Sequence, residues 1–315
     1  MAKQGQSAVM TTNKFTNIAT KENTPILLTA LATPFKHGKV HIKSLDTLLS
    51  LQNNADVDGL VALGTTAESG LMTDEEKALI LSATKLLTNK PLVVGVAANG
   101  EYTLLRQAEF AQKHGADALL VSPPSFCKCT KNGYIKLLLK LHRKCDLPLV
   151  LYNVPSRAAY SLDNIIVRTL AENGVNFVKE CAADGKLINC ANNVLCFSGN
   201  DEYLTTHIRQ GAIGAISVAS NVFPSLTKKV MLQAVNSDGR NNIESTDKVA
   251  TKFAKVARLC ALEVNPIATK YMLYRLGIFA TPEMRLPLTV ADRQTRKQTD
   301  EFLKENKYEI DGIRQ

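Results

Sequence analysis

The stretch PLVLYNVPSRAAYSLDNIIVRTLAENGVNFVKE occupies residues 148–180 and holds two short apolar runs separated by a helical pattern. The runs Pro148–Tyr152 and Asn176–Lys179 do not alternate between apolar and polar residues, which is typical of parallel strands covered on both faces. Between them, Ser161–Glu172 has the spacing of an amphipathic helix. The stretch therefore predicts one strand–helix–strand unit of a parallel sheet.

The same alternation continues in both directions along the chain and gives eight short runs in all. The runs are Ile26–Ala32, Gly59–Leu63, Pro91–Ala97, Ala118–Ser122, Pro148–Tyr152, Asn176–Lys179, Val194–Ser198 and Ala212–Val218. Eight strand–helix units predict an α/β protein with a closed (β/α)8 TIM barrel. An open, doubly wound sheet is the alternative, but no Gly-x-Gly-x-x-Gly follows the first run and no Walker loop occurs.

The predicted barrel spans residues 24–235 and leaves a segment at each end. Residues 1–23 are rich in Thr, Ser, Asn and Gln, and we expect a flexible tail. Residues 236–315 are too few for an ordinary second domain, so we expect a helical extension of the barrel. Helices are expected at Thr246–Leu262, Asn265–Leu276 and Ala291–Glu305, after a polar linker at Val235–Glu244.

Composition excludes several classes of protein. The 315 residues are 45% hydrophobic and 21% charged, which is typical of a globular protein. No apolar run reaches the roughly 18 residues of a membrane span. Much of the net charge of +9 lies between Cys127 and Cys145, where we expect a solvated helix face and no nucleic-acid binding. Seven cysteines, none in a CxxC pair, predict reduced thiols and a cytoplasmic location.

Candidate functional residues follow three of the predicted strands, at the end where TIM barrels carry their active sites. Gly64 is followed by the hydroxyls of Thr65 and Thr66, which suit a carboxylate or a phosphate. Tyr152 can move protons through its phenol, and Arg157 can form two hydrogen bonds to a carboxylate. Each of these residues also has an ordinary structural role as a turn, a packing residue or a surface charge.

Lys179 lies at the end of the sixth apolar run. Burial would lower the pKa of its amine and make the neutral form available to attack a ketone, although a lysine paired with Glu180 outside the strand is an equal alternative. An α-keto acid would match the three strand ends together. Its carboxylate would bind Thr65 and Thr66, its ketone would react with Lys179, and Tyr152 would transfer its protons.

Five motifs resemble the dihydrodipicolinate synthase/N-acetylneuraminate lyase family of lysine-dependent aldolases. They are GTTAES at 64–69, YNVPSR at 152–157, VKE at 178–180, SGND at 198–201 and GAISVASN at 214–221. The resemblance runs from Thr24 to Leu288. It implies the barrel with C-terminal helices and a homotetramer made of two tight dimers. Two residues resemble the synthase branch of the family. They are Thr65, where sialic acid lyases typically carry serine, and Arg157.

The resemblance implies a class I aldol condensation in lysine and diaminopimelate biosynthesis. Lys179 would form an imine with pyruvate, and the derived enamine would attack aspartate semialdehyde to give 4-hydroxy-tetrahydrodipicolinate. Tyr152 would move protons through Thr65. No metal or organic cofactor is implied, because the imine itself accepts the electrons. The residues that resemble substrate-binding positions are Thr66, Arg157, Gly199 and Ile216, the last through its backbone.

One position departs from the family pattern. The family's proton relay usually includes a second tyrosine, which a neighbouring subunit donates, and this chain has Ser125 and Phe126 in that segment. Phenylalanine fills space but passes no proton, so Phe126 or Ser125 is the expected relay replacement. Two alternatives stay open: another pyruvate-dependent aldolase acting on a sugar acid or other aldehyde, and a non-catalytic barrel that binds a keto acid.

Overall fold

The computed structural model describes residues 13–21, 24–158, 160–236 and 248–306. Eight of its ten strands form one closed parallel barrel, which β1 completes by pairing with both β4 and β10. The strands are β1 Ile26–Ala30, β2 Phe35–Lys36, β3 Lys39–Val40, β4 Gly59–Ala62, β5 Leu92–Val96, β6 Ala118–Val121, β7 Leu149–Asn153, β8 Phe177–Glu180, β9 Leu195–Ser198 and β10 Gly214–Ser217. The predicted TIM barrel is confirmed, and β2 and β3 form a separate hairpin.

Helices separate the barrel strands and surround the barrel. They are α1 Lys14–Ala19, α2 Ile42–Asn54, α3 Asp74–Leu87, α4 Glu101–Lys113, α5 Lys131–Lys144, α6 Asn164–Ala171, α7 Leu204–Arg209, α8 Pro224–Asn236, α9 Lys248–Cys260, α10 Ile267–Arg275 and α11 Arg293–Glu305. The start of α3 shows why a helix boundary can be predicted from the sequence. The Thr73 hydroxyl accepts from the Glu76 amide at 3.3 Å, and the Glu76 carboxylate accepts from the Thr73 amide at 3.1 Å. This capping box satisfies two amides that lack helical partners.

The apolar core has two layers, as the fold requires. The larger layer lies between the strands and the surrounding helices. A smaller cluster fills the barrel interior and includes Leu28, Val93, Phe197 and Ile216. Because both faces of every barrel strand are covered, the strands have continuous apolar runs in the sequence.

The predicted flexible tail at residues 1–23 is wrong for residues 14–19, which form α1. Phe15 is fully buried, with its ring 5.0 Å from that of Phe177 in an edge-to-face contact and 6.2 Å from that of Phe197. The Asn13 side-chain Nδ2 also donates to the Asp117 carbonyl at 2.8 Å. Phe15, with Ala19 and Ile18, thus anchors this segment in the barrel interior. Residues 1–12, 22 and 23 lie outside the described residues.

The predicted C-terminal helices are present as α9, α10 and α11. The predicted linker at Val235–Glu244 begins inside α8, which continues to Asn236, and its remainder lies outside the described residues. The predicted division at residue 235 therefore falls inside the last turn of α8. We keep the two-part organisation as a prediction.

The surface of the described residues fits the charge pattern of the sequence. On the basic helix α5, Lys131 pairs with Asp163 and Lys140 pairs with Glu101, both at 2.6 Å. The seven cysteines are free thiols. Across the described ranges, the helices are either too short or too polar to cross a membrane.

We expect Phe15→Ala to destabilise the protein by about 3–5 kcal/mol, because it removes a fully buried aromatic ring and leaves a cavity in the barrel interior. Chemical denaturation would measure the loss. Leu86→Ala, at a side chain that is 85% exposed, is the control and should change stability little. Equal stability of the two variants would contradict the packing of α1 in the barrel.

Candidate active site

The predicted site residues surround a cavity of about 200 Å³ at the carboxyl ends of the barrel strands. The predicted residues that line it are Thr65, Thr66, Tyr152, Arg157, Lys179 and Gly199. A second cavity of about 330 Å³ adjoins the first and shares Thr65, Tyr152 and Arg157 with it. The second cavity is lined mainly by apolar side chains, including Leu71 and Leu288. The structure therefore places a reactive cavity next to a wider, more apolar space.

Strand pairing brings Lys179 and Tyr152 together. The two residues are direct partners in the parallel ladder between β7 and β8, so their side chains point to the same side of the sheet. Lys179 is only 5% exposed, and its Nζ lies 4.4 Å from the centre of the Tyr152 ring. The alternative of a solvated lysine past the strand end is excluded.

The expected lowering of the Lys179 pKa is wrong. Burial is the largest influence and lowers the pKa, but the neighbouring Tyr152, Cys181 and Asp201 together outweigh it, so that the pKa is raised. The resting amine is therefore an ammonium at neutral pH. It must give up a proton before it can attack a carbonyl group.

Tyr152 is the nearest group that can exchange a proton with this amine. Burial raises the pKa of its phenol, which is therefore uncharged at neutral pH. The Lys179 amine lies over the phenol ring, and Thr65 lines the same cavity as both residues. Thr65 begins a short 3-10 turn after β4 and is exposed toward the cavity. The three groups able to exchange protons therefore share one cavity.

Thr66 and Asn265 join the barrel to the C-terminal helices. The Asn265 side-chain amide donates to the Thr66 hydroxyl at 2.9 Å. The side-chain oxygen of Asn265, Oδ1, is buried without a hydrogen-bond partner. Asn265 lines both cavities. Sequence reasoning missed Asn265, because a polar residue at the start of a predicted helix suggests only a helix cap.

A buried ion pair fixes the turn that carries Thr65 and Thr66. Glu68 in this turn has a left-handed backbone, with φ of 58°, and its carboxylate lies 2.6 Å from Lys270 Nζ on α10. Both side chains are fully buried. The other Glu68 oxygen accepts from the Arg285 amide at 3.0 Å. The C-terminal part of the chain thus holds the hydroxyl-bearing turn in place.

The remaining predicted binding residues are placed differently from one another. Arg157 is exposed and lies at the wall of both cavities. A side chain at Gly199 would overlap the sulfur of Cys181, and its Cβ would lie 2.8 Å from Lys179 Cε, so only glycine fits beside the lysine. Ile216 is fully buried in the barrel interior and is not among the residues lining the cavity, where Val218 lies instead.

Asp201 is a further cavity residue that sequence reasoning missed. Its carboxylate accepts from the Val218 and Ala219 amides at 2.9 and 2.8 Å, and burial raises its pKa. It therefore ties the loop after β9 to the loop after β10. In the sequence it ends the SGND motif at 198–201, but sequence reasoning assigned it no role there.

The expected relay replacements do not face the cavity of their own chain. The Ser125 and Phe126 amides both donate to Asn99 Oδ1, at 3.1 and 3.3 Å, and the Phe126 side chain is 92% exposed. Neither residue lines either cavity. Among the residues that the structure describes, no group of three or more His, Cys, Asp or Glu side chains is arranged to hold a metal ion.

We expect Lys270→Met to destabilise the protein by about 3–5 kcal/mol, because it leaves the fully buried Glu68 carboxylate without its partner. Thermal or chemical denaturation would measure this loss. The matched control is Lys77→Met, which breaks a pair with the exposed Asp74 and should cost about 0–1 kcal/mol. Restoration of stability by Glu68→Gln in the Lys270→Met background would support the assignment, and equal losses in the two single variants would contradict it.

Comparison with known proteins agrees with this geometry. The model of the dihydrodipicolinate synthetase family matches residues 24–306. The 4-hydroxy-tetrahydrodipicolinate synthases of Rickettsia bellii and Thermosipho africanus are 33% and 34% identical over 287 residues, covering 88% of this chain and 95% and 96% of theirs. The crystal structure of the chloride-inhibited dihydrodipicolinate synthase from Acinetobacter baumannii complexed with pyruvate superimposes with a TM-score of 0.83 at 29% identity, covering 90% of this chain and 99% of that one.

The family resemblance predicted from the five motifs is thus confirmed, and it extends over the whole barrel and the C-terminal helices. Ser125 and Phe126, where the chain departs from the expected relay tyrosine, lie inside the matched range. The chain belongs to the dihydrodipicolinate synthetase family.

Proposed function

We propose that the protein condenses pyruvate with aspartate semialdehyde to give 4-hydroxy-tetrahydrodipicolinate, through an imine on Lys179, in lysine and diaminopimelate biosynthesis. The observation that carries this proposal is a buried lysine next to Tyr152 in a cavity that also presents Thr66 and Arg157. The names of the similar synthases support the same reaction.

The first half of the reaction uses the inner part of the cavity. Lys179 loses a proton and its nitrogen attacks the ketone carbon of pyruvate, and loss of water then gives the imine. Thr66 and the amides of its turn hold the pyruvate carboxylate. Tyr152, whose ring centre lies 4.4 Å from Lys179 Nζ and which lines the same cavity as Thr65, accepts and returns the protons of these steps.

The second half needs the aldehyde to approach from the outer side. Loss of a methyl proton turns the imine into an enamine, whose carbon attacks the aldehyde of aspartate semialdehyde. The amino group of the same molecule then attacks the imine carbon, which closes the ring and releases Lys179. Arg157, at the wall shared by both cavities, is placed to hold the carboxylate of the incoming semialdehyde.

The proposed assembly is a homotetramer in the cytoplasm. Phe126 and Tyr102, which are 92% and 74% exposed, support a surface that is covered by another copy of the chain. The seven free thiols support a reducing compartment. Sedimentation of the full chain would test the tetramer, and a monomer at working concentration would overturn it.

Reduction with borohydride in the presence of pyruvate should attach the keto acid to Lys179 and stop turnover in an assay coupled to aspartate semialdehyde. Peptide mass mapping would identify the modified lysine among Lys179, Lys228 and Lys270, all of which are buried. Because the Lys179 pKa is raised, the rate of trapping should increase as pH rises and the neutral amine fraction grows. Labelling of another lysine, or no labelling, would refute the proposed reaction. Labelling of Lys179 without turnover would indicate that the protein uses another aldehyde or only binds a keto acid.

Replacing Arg157 should weaken binding of aspartate semialdehyde without weakening binding of pyruvate. We expect Arg157→Ala to raise the KM for aspartate semialdehyde about 10- to 100-fold, because it removes a charge-assisted hydrogen bond to a carboxylate. Trapping by pyruvate should change little. Arg143→Ala, at an exposed arginine on α5, is the control. An unchanged KM for the semialdehyde in Arg157→Ala would assign its recognition to other residues.

A further inference from the structure

Asn265 connects the C-terminal helices to the turn that would hold the keto-acid carboxylate. Its side-chain Nδ2 donates to the Thr66 hydroxyl oxygen at 2.9 Å, although 199 positions separate the two residues in the chain. Asn265 lines both cavities of the candidate active site, and Thr66 lines the cavity of about 200 Å³. The hydrogen bond therefore lies in the wall of the reactive cavity, yet none of the proposed steps uses Asn265.

The direction of this hydrogen bond limits what the Thr66 hydroxyl can do. A hydroxyl group has one proton to donate and two lone pairs that accept. The Asn265 amide occupies one lone pair and, as a donor, cannot accept the hydroxyl proton. Within the described ranges, the Thr66 hydroxyl makes this hydrogen bond and no other. Because Thr66 is only 3% exposed, its proton is available chiefly to a ligand in the cavity.

The helix that follows Asn265 fixes the position of the amide. The Lys270 amide donates to the Pro266 carbonyl at 2.9 Å, so helical hydrogen bonding begins directly after Asn265. The Lys270 amine lies 2.6 Å from the carboxylate of Glu68, which is two residues after Thr66 in the same turn. The start of α10 thus contacts one short turn at two points, which sets the amide against the hydroxyl.

The oxygen of the same amide argues against a purely structural role. Asn265 Oδ1 is buried without a hydrogen-bond partner. A buried acceptor without a donor lowers the stability of the folded state, so an apolar side chain would be better suited to packing alone. The atom of this side chain that makes a defined contact is the donor, Nδ2.

A carboxylate is the ligand that fits a hydroxyl group with a free proton. An ionised carboxylate only accepts hydrogen bonds, and hydrogen bonds to an ionised acceptor are stronger than those between neutral groups. A hydroxyl group rotates to suit its neighbours, so an acceptor in the protein would compete with the ligand for the proton. A donor at this place, such as the Asn265 amide, leaves the proton to the ligand.

We propose that Asn265 is a positioning residue for keto-acid binding: its amide occupies a lone pair of the Thr66 hydroxyl and directs the hydroxyl proton to the carboxylate of pyruvate. This inference rests on the proposed function. It adds a residue of the C-terminal part of the chain to the pyruvate site. Asn265 acts through Thr66 and itself forms no bond to pyruvate.

Substitutions at both residues test this role. Asn265→Ala removes the donor, Asn265→Leu removes it while filling its space, and Asn265→Asp replaces it with an acceptor. Thr66→Val removes the hydroxyl and keeps the branched shape, which completes a double-mutant cycle. The matched control is Asn53→Ala, because Asn53 Oδ1 also bonds a threonine hydroxyl, that of Thr88, at 2.7 Å, and neither residue lines either cavity.

The readouts are kcat, the KM for each substrate, the thermal midpoint and the pyruvate concentration that gives half-maximal borohydride trapping on Lys179. We expect Asn265→Ala and Asn265→Leu to raise the KM for pyruvate and the half-trapping concentration about three- to tenfold, the effect of roughly one neutral hydrogen bond. Asn265→Asp should raise both further, because its carboxylate would accept the hydroxyl proton and repel the pyruvate carboxylate.

The effect should be confined to pyruvate binding and should depend on Thr66. We expect kcat and the KM for aspartate semialdehyde to stay within about twofold of wild type, as for a residue that contributes to binding alone. In a Thr66→Val background, Asn265→Ala should change the KM for pyruvate less than about twofold, because the hydroxyl through which it acts is gone. Asn53→Ala should lower only the thermal midpoint.

The outcomes distinguish this inference from the proposed function. If the wild-type protein traps pyruvate on Lys179 while Asn265→Ala and Asn265→Leu bind pyruvate as wild type does, Asn265 only joins the helices to the barrel and the inference fails. An equal effect of Asn265→Ala with and without the Thr66 hydroxyl would also overturn it. If Asn265→Ala does not fold, Asn265→Leu decides the question in the same cycle. If the wild-type protein traps no pyruvate, the proposed function and the inference fail together.

Discussion

A primary amine held inside the barrel is the constraint to which the rest of the active site is fitted. Lys179 is 5% exposed, and an unpaired ammonium in such a place would cost several kcal/mol. Its compensation comes from separate strand ends: Tyr152 on β7, Cys181 after β8 and Asp201 after β9. None of these groups is an adjacent ion-pair partner. The amine is therefore stabilised enough to remain buried while its nitrogen stays accessible to a ligand in the cavity.

The C-terminal helices are part of the active site and not a separate appendage. The turn that carries Thr65 and Thr66 is held by the buried pair of Glu68 and Lys270, and Asn265 reaches the Thr66 hydroxyl. A turn rich in small polar residues has few apolar contacts of its own, so an ion pair from a distant helix supplies its rigidity. Rigid support of this kind is what a preorganised carboxylate site requires.

Aromatic packing closes the opposite end of the barrel. Phe15 of α1 packs on Phe177 and Phe197 and belongs to the same inner cluster as Tyr152. One continuous set of apolar contacts therefore runs from the N-terminal helix to the reactive phenol. The family match begins at residue 24, so this helix precedes the part of the chain that the family model covers. Aromatic packing closes the bottom of the barrel, and the candidate active site lies at its mouth, as in other proteins of this architecture.

The sequence alone determined the barrel, because each strand covered on both faces must be apolar throughout and each helix between them must have one apolar side. It also identified Lys179, Tyr152, Thr65 and Thr66, because residues that end parallel strands meet at one end of a closed barrel. Only the tertiary structure decided the roles of Asn265, Lys270 and Asp201, whose positions depend on contacts between segments far apart in the chain or on neighbouring strands. It also reversed two expectations, the flexible N-terminal segment and the lowered Lys179 pKa, since local composition carries no information about which aromatic pocket or which buried oxygen and sulfur atoms a side chain will meet.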